Sequence, residues 1–188
     1  MFTLQNTVLD TRYPDGGSDM SSFAMYCTDT WELNRKMIVN GGLRASHVRL
    51  NALFIDQTFF PFPFNSINQQ NSSINGNLGL IYMPKNGMRF TLSSATGFRA
   101  PNVDDVSKVF ESVPGKVIVP NPDLKPEYSY NLELGAEFLF FKNINLSTNL
   151  YGTYLTNALT IQGGTMDGTD SVFYDGSYSQ VITTTNAN

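Results

Sequence analysis

Apolar and polar side chains alternate along most of this 188-residue chain. From Asn131 the sequence reads NLELGAEFLF, which places Leu132, Leu134, Ala136, Phe138 and Phe140 on one side of an extended strand. Asn131, Glu133, Gly135 and Glu137 fall on the other, because successive side chains of a strand point to opposite faces. The segment from Ile144 repeats the pattern, with Ile144, Leu146, Leu150 and Tyr154 opposite Asn145, Ser147, Asn149 and Thr153. Met37, Val39, Leu43 and Ala45 alternate with Asn40, Arg44 and Ser46, and Met88, Phe90 and Leu92 with Arg89, Thr91 and Ser93. In these segments the charges sit almost wholly on the polar face. The pattern predicts seven strands: Ser22 to Leu33, Met37 to Arg49, Ser73 to Met83, Met88 to Gly97, Tyr128 to Phe140, Ile144 to Leu155 and Ser171 to Thr184.

The connections alternate too. Tight turns are expected at Leu33 to Lys36, at Pro84 to Gly87 (PKNG) and at Phe141 to Asn143, the second on a strong Pro/Asn/Gly signal. Between them lie long stretches read as loops: Asn51 to Ser72, Phe98 to Glu127, and Asn157 to about Gly176. The strands run about 10 to 12 residues, longer than the usual mode of about 5 to 6 and close to the ~9 to 11 that cross a bilayer. Short turns at one end and long loops at the other mark bacterial outer-membrane barrels. Trp31, Tyr82, Phe90, Phe138, Phe140 and Phe141 gather near the tight turns, as an interfacial aromatic girdle would. Alternation alone fits a soluble antiparallel sandwich equally well; strand length and loop asymmetry favour the barrel. The expected fold is therefore all-β: antiparallel transmembrane barrel strands with short periplasmic turns and long extracellular loops.

Composition sharpens this. Charged residues are 15% of the chain, against about 25% in soluble domains, while aromatics reach 13%. The formal charge is -4 with no Lys/Arg cluster, so nucleic acid is excluded as a partner class. No apolar run approaches the ~18 to 20 residues of a membrane-spanning helix, which leaves a closed barrel as the way to cross lipid. The opening MFTLQNTVLD has neither the basic nor the apolar region of a secretory leader. The expectation is a fragment of a longer precursor, with Met1 either internal or introduced as a start.

Candidate chemistry is sparse. There is one cysteine, Cys27, read as a small apolar strand residue, and one histidine, His47, read as structural. No GxxxxGK loop and no Ser/His/Asp grouping is present. Zinc needs several Cys or His ligands, so a zinc site within the chain is excluded. Asp104, Asp105, Asp167, Asp170 and Asp175 miss the calcium-loop spacing and are read as solvated acidic loops. Neither catalysis nor a bound cofactor or metal is expected.

The informative strings lie in the long proline-rich connection: TGFRAPNVDDV (Thr96 to Val106) and VPNPDLKPEYSYNLELG (Val119 to Gly135). Pro101, Pro120, Pro122 and Pro126 fix φ and remove backbone donors, and Asn121 and Asp123 favour turns, so both boxes shape a loop first. Together they resemble the TonB-dependent receptors of Gram-negative outer membranes, where a FRAP box leads from a strand into an extracellular loop and NPxLKPE leads back. RYPDGGS (Arg12 to Ser18) is similar to another extracellular loop of that family. The resemblance spans nearly the whole chain. It implies part of the C-terminal β-barrel, about a third of a closed barrel of some twenty-two strands, without the N-terminal plug domain.

The resemblance further implies a gated importer of a scarce nutrient, with a plug displaced by energy delivered through TonB. Its partners would be an extracellular small-molecule ligand such as a metal chelate, TonB through the missing N-terminal region, and the lipid bilayer. Ferric siderophores rank first among the implied ligands, ahead of haem, cobalamin and oligosaccharides. Haem receptors carry FRAP and NPNL boxes with a histidine between, whereas here the box is NPDL and Ala100 to Asn121 hold no histidine. A passive porin or adhesin barrel is the competing reading. The ligand-contact candidates are Phe98, Arg99, Asn121 and Asp123 in the boxes, and the aromatics of FFPFPF, Phe62 and Phe64 with Phe59 and Phe60.

Overall fold

The alternating segments become strands of two separate sheets. The computed structural model describes residues 12–58, 62–141, 143–174 and 176–187. In chain order the elements are β1 (Ser18–Asn34), β2 (Met37–Leu53), β3 (Ser66–Tyr82), β4 (Met88–Arg99), a one-turn helix α1 (Val103–Val106), β5 (Phe110–Val113) and β6 (Lys116–Val119). They continue with β7 (Glu127–Phe140), β8 (Ile144–Thr156), β9 (Ala158–Gly163), β10 (Ser171–Tyr174) and β11 (Ser177–Ala187).

Six long strands form an antiparallel wall in the order β1-β2-β3-β4-β7-β8. Its register keeps the two faces apart. Trp31 pairs with Val39, then Leu80, Leu92, Leu134 and Leu150 follow in one apolar row across all six strands. The adjoining row, Thr30, Asn40, Gly79, Ser93, Glu133 and Tyr151, faces the other way. The apolar face is open: Ile74 is 79% exposed and Leu150 71%. A sheet with such a face is stable only when something apolar covers it, and a bilayer does so.

The tight turns fall where the pattern put them. Residues 35–36 join β1 to β2, with the Lys36 amide donating to Asn34 Oδ1 at 2.9 Å. Gly87 turns the second corner at φ +79, a conformation that glycine adopts without steric cost. The third turn places Phe141 at φ 50 and leaves it 90% exposed. On the apolar face beside these turns Tyr82, Phe90, Phe138 and Phe140 form a chain of ring contacts with centroids 5.7 to 6.5 Å apart.

The structure corrects the sequence reading at the other end of the wall. β1 starts at Ser18, β2 runs on to Leu53 and β3 begins at Ser66, so the strands extend beyond the segments read as Ser22 to Leu33, Met37 to Arg49 and Ser73 to Met83. Backbone pairing continues, but the side-chain pattern inverts. Asp19, Ser21, Arg49, Asn51, Asn68 and Gln70 now occupy the formerly apolar face, while Leu50, Ala52 and Ile67 turn to the polar one. Ser171 to Thr184 is not one wall strand. It breaks at Gly176 (φ +84) into the antiparallel hairpin β10–β11.

Nor are the long connections unstructured. The second and third, with the strand that follows, fold into a second sheet of order β10-β11-β6-β5, with β9 paired to the other part of β11. β6 and β11 run parallel, Val117 beside Val181. This cap holds the core. One cluster joins Leu50, Ala52 and Ile67 of the wall to Phe54, Val106 and Leu124; a second joins Val109, Val117, Val119, Met166 and Val181. Phe62 packs against both. Because the wall residues in the first cluster lie on the polar face, the cap folds over that face and not over the apolar one.

Candidate functional site: the two loop boxes beneath the cap

Strand alternation divides the FRAP box at its second residue. Phe98 lies on the apolar face of β4, its ring 5.5 Å from that of its cross-strand partner Tyr128. Arg99 lies on the polar face and grips two carboxylates. Its Nη1 is 2.7 Å from Glu127 Oε2 on β7, and its Nη2 is 2.7 Å from Asp105 Oδ2 on α1.

Both carboxylates are held in turn. Glu127 Oε1 accepts the Leu159 amide at 2.7 Å, and Asp105 Oδ2 accepts the Asn102 amide at 3.0 Å. Asn102 Oδ1 accepts the Asp105 amide at 2.9 Å, closing a capping box on α1. Charged donors and acceptors in such short contacts make the stronger class of hydrogen bond. Asp105, read from sequence as a solvated loop acid, is a clasp residue with its side chain only 18% exposed.

The NPDL box is stitched in a similar way. The Asn121 amide donates to Val106 O at 3.0 Å, its Nδ2 donates to Thr184 O at 2.8 Å, and its Oδ1 accepts the Asp123 amide. Gln69 Nε2 of β3 donates to Pro122 O at 2.8 Å and to Leu124 O at 3.2 Å. Asn186 Nδ2 donates to the carbonyls of Lys125 and Asn157, while its Oδ1 accepts the Lys125 amide. Proline removes the donors that this stretch would otherwise have to satisfy, and neighbouring amides supply partners for the carbonyls that remain.

Arg99, Asn121, Phe62 and Phe64 therefore converge on α1 and the cluster around Val106, while Asp123 is exposed and Phe98 points the opposite way. Phe62 and Phe64 stack at 5.6 Å, and Phe54 meets both edge-on at 5.3 and 5.8 Å. Phe59 and Phe60 lie outside the described residues, as does Asp175.

The RYPDGGS segment adds a further tie. Asp15 accepts the amides of Ile55 and Asp56 at 2.8 Å each, and these two bonds hold its carboxyl below the usual range. Arg12 lies over the Phe110 ring at 4.1 Å. Sequence reasoning missed Glu127, Gln69, Asn186 and Asp15 as members of this assembly. Glu127 stood in the KPE of the second box, and the spacing of Asn102 and Asp105 was a legible capping signal. Gln69 and Asn186 carried no local signal, since their partners lie 29 to 61 residues away.

His47 sits on the apolar face, opposite Phe23 and Ser72, with Nδ1 2.9 Å from Ser72 Oγ. Cys27 is exposed on the same face. Among the described residues no three His, Cys, Asp or Glu side chains group to hold a metal ion.

A wall with an open apolar band, a polar inner face and a cap folded over that inner face defines a segment of a membrane-spanning β-barrel. The model of the family described as TonB dependent receptor-like, beta-barrel matches residues 2–188, and the chain belongs to that family, which resides in the Gram-negative outer membrane. Two curated relatives from Haemophilus influenzae are the hemoglobin and hemoglobin-haptoglobin-binding proteins C and B. They are 43% and 42% identical over 72 residues, 38% of this chain and 6% of each relative.

Among solved structures, the Serratia marcescens hemophore receptor HasR, in complex with HasA and heme, matches with TM-score 0.66 and 16% identity, covering 89% of this chain and 29% of that one. The siderophore receptor PirA of Acinetobacter baumannii matches with TM-score 0.54 and 14% identity, covering 90% and 32%. At these identities the two structures speak for the fold. The chain spans a small part of the curated relatives and about a third of those receptors.

Proposed function

We propose that this chain is the cap-bearing part of a receptor that actively imports an iron-bearing ligand across the outer membrane, driven through TonB, with a haem-carrying protein as the iron source. The relatives at 42–43% identity carry the choice of ligand, because their names state binding to haemoglobin. The cap supports the receptor reading. A loop assembly with two apolar cores and the Arg99 clasp is a preformed surface over the barrel mouth, which suits capture of a bulky object more than passive diffusion.

A ferric siderophore is the second reading, favoured by one observation. Ala100 to Asn121 contain no histidine, and His47 faces lipid, so this part of the barrel offers no imidazole to a haem iron.

The experiment uses the full-length receptor as the sole iron-uptake route of an iron-starved host. Growth on haemoglobin is expected, with loss of growth when TonB is removed. Growth on ferric siderophores alone would select the second reading. TonB-independent permeation of small solutes would replace both with a porin.

A further inference from the structure

Three arginines lie along the polar face of the wall, and one of them stands apart. Arg89 faces Glu137 at 3.8 Å, and Arg99 is clasped by Glu127 and Asp105. Arg44, in the middle of β2, has no carboxylate within salt-bridge distance among the described residues. Glu32, Glu127, Glu133 and Glu137 share its face but do not reach it. Its Nε donates within the strand to Ser46 Oγ at 3.1 Å.

Its cross-strand neighbours are Tyr26 on β1 and Asn75 on β3. Asn75 Oδ1 accepts from Ser73 Oγ at 2.9 Å, which leaves Nδ2 a buried donor without a partner. Arg44 and Asn75 line a shallow depression with Tyr26, Thr28 and Asn77. It lies six residues below Leu50, about 20 Å at a strand's rise per residue. The site is thus at bilayer depth, facing the lumen beneath the cap. A charge on the lumenal side of a barrel strand meets a polar interior and bears on what passes through it. An orphaned buried donor carries a cost of its own.

We propose that Arg44 and Asn75 form a lumenal subsite for a carboxylate on the cargo, which takes two donors from the arginine and one from the Asn75 amide. The inference rests on the importer reading above. A haem propionate and the carboxylate of a carboxylate-type ferric siderophore present the same chemistry.

The test compares Arg44→Gln, Arg44→Lys and Asn75→Leu with wild type in the full-length receptor, by equilibrium binding and by uptake. The probes are haem, haem with both propionates esterified, a carboxylate siderophore and a catecholate siderophore without carboxylates. Arg44→Gln is expected to weaken the carboxylate-bearing probe that the wild type accepts by roughly ten- to hundred-fold, the range of a charged hydrogen bond. Binding of its carboxylate-free counterpart should stay within about two-fold. Arg44→Lys, which keeps the charge and loses the paired donors, should fall between.

Equal losses for both probes of a pair would overturn the subsite. So would a gain in protease sensitivity of the ligand-free receptor with binding unchanged, which would assign Arg44 to a carboxylate elsewhere in the same protein. If the wild type binds only siderophores, the haem reading fails, while the siderophore pair still decides the subsite.

Discussion

The wall and the cap use the same alternating code in opposite senses. In the wall, large apolar residues such as Leu134 and Leu150 point away from the protein and stay exposed, while charges such as Arg89, Glu133 and Glu137 point inward. In the cap and the strand ends that support it, the apolar residues point inward and are buried: Leu50 is 1% exposed, and Val117 and Val181 are fully buried. The inversion happens within single strands. On β2, Leu43 and Ala45 belong to the outer face, whereas Leu50 and Ala52 belong to the inner one. Only the surroundings change, from lipid outside the wall to folded loops inside it. The hydrophobic effect then sorts side chains toward whichever side excludes water.

The contrast can be broken most forcefully in the cap. Leu50→Ala in the full-length receptor should destabilise the cap by about 2 to 5 kcal/mol, as a buried leucine truncation does, and leave the wall inserted. Hydrogen exchange should accelerate in β6 and β11 and stay slow in β7 and β8. Uniform acceleration across all of these strands would mean that wall and cap are one cooperative unit.

In the wall the decisive variable is the side to which a charge is added. Leu134→Arg should cost about 2 to 4 kcal/mol if it lies near the bilayer midplane. Glu133→Arg, next to it but facing inward, should cost far less. Folding titrations into vesicles measure both, and equal penalties would refute the assignment of the apolar row to lipid.

The smallest effects compare two ion pairs. Arg99→Gln removes contacts to carboxylates only 16% and 18% exposed, and should loosen the cap by about 1 to 2 kcal/mol after discounting for the half-exposed arginine. Arg89→Gln removes a 3.8 Å pair exposed 45% and 46%, and should cost about 0 to 1 kcal/mol. Protease resistance of the cap should fall in the first variant and remain in the second. The reverse order would show that the clasp between the two boxes is not what holds α1 down.

Sequence alone determined the wall between its turns and the inversion. A period of two, tight turn chemistry and low charge are local quantities, and in a strand they fix which residues share a face whatever the partner strand is. The FRAP and NPDL strings also marked where β4 ends and β7 begins. What the sequence did not contain was the cap. Its β6 pairs in parallel with β11 across about sixty residues, and Asn121, Gln69 and Asn186 bond over similar separations. Short strands such as KVIV (Lys116–Val119) and ALTIQG (Ala158–Gly163) have too few residues for a periodic signal. Their backbone groups find partners only after the chain has folded back on itself. The roles of Phe98 and Arg99 were settled in the same way, because adjacent residues of one box face opposite sides and only the completed sheet and cap decide what lies on each.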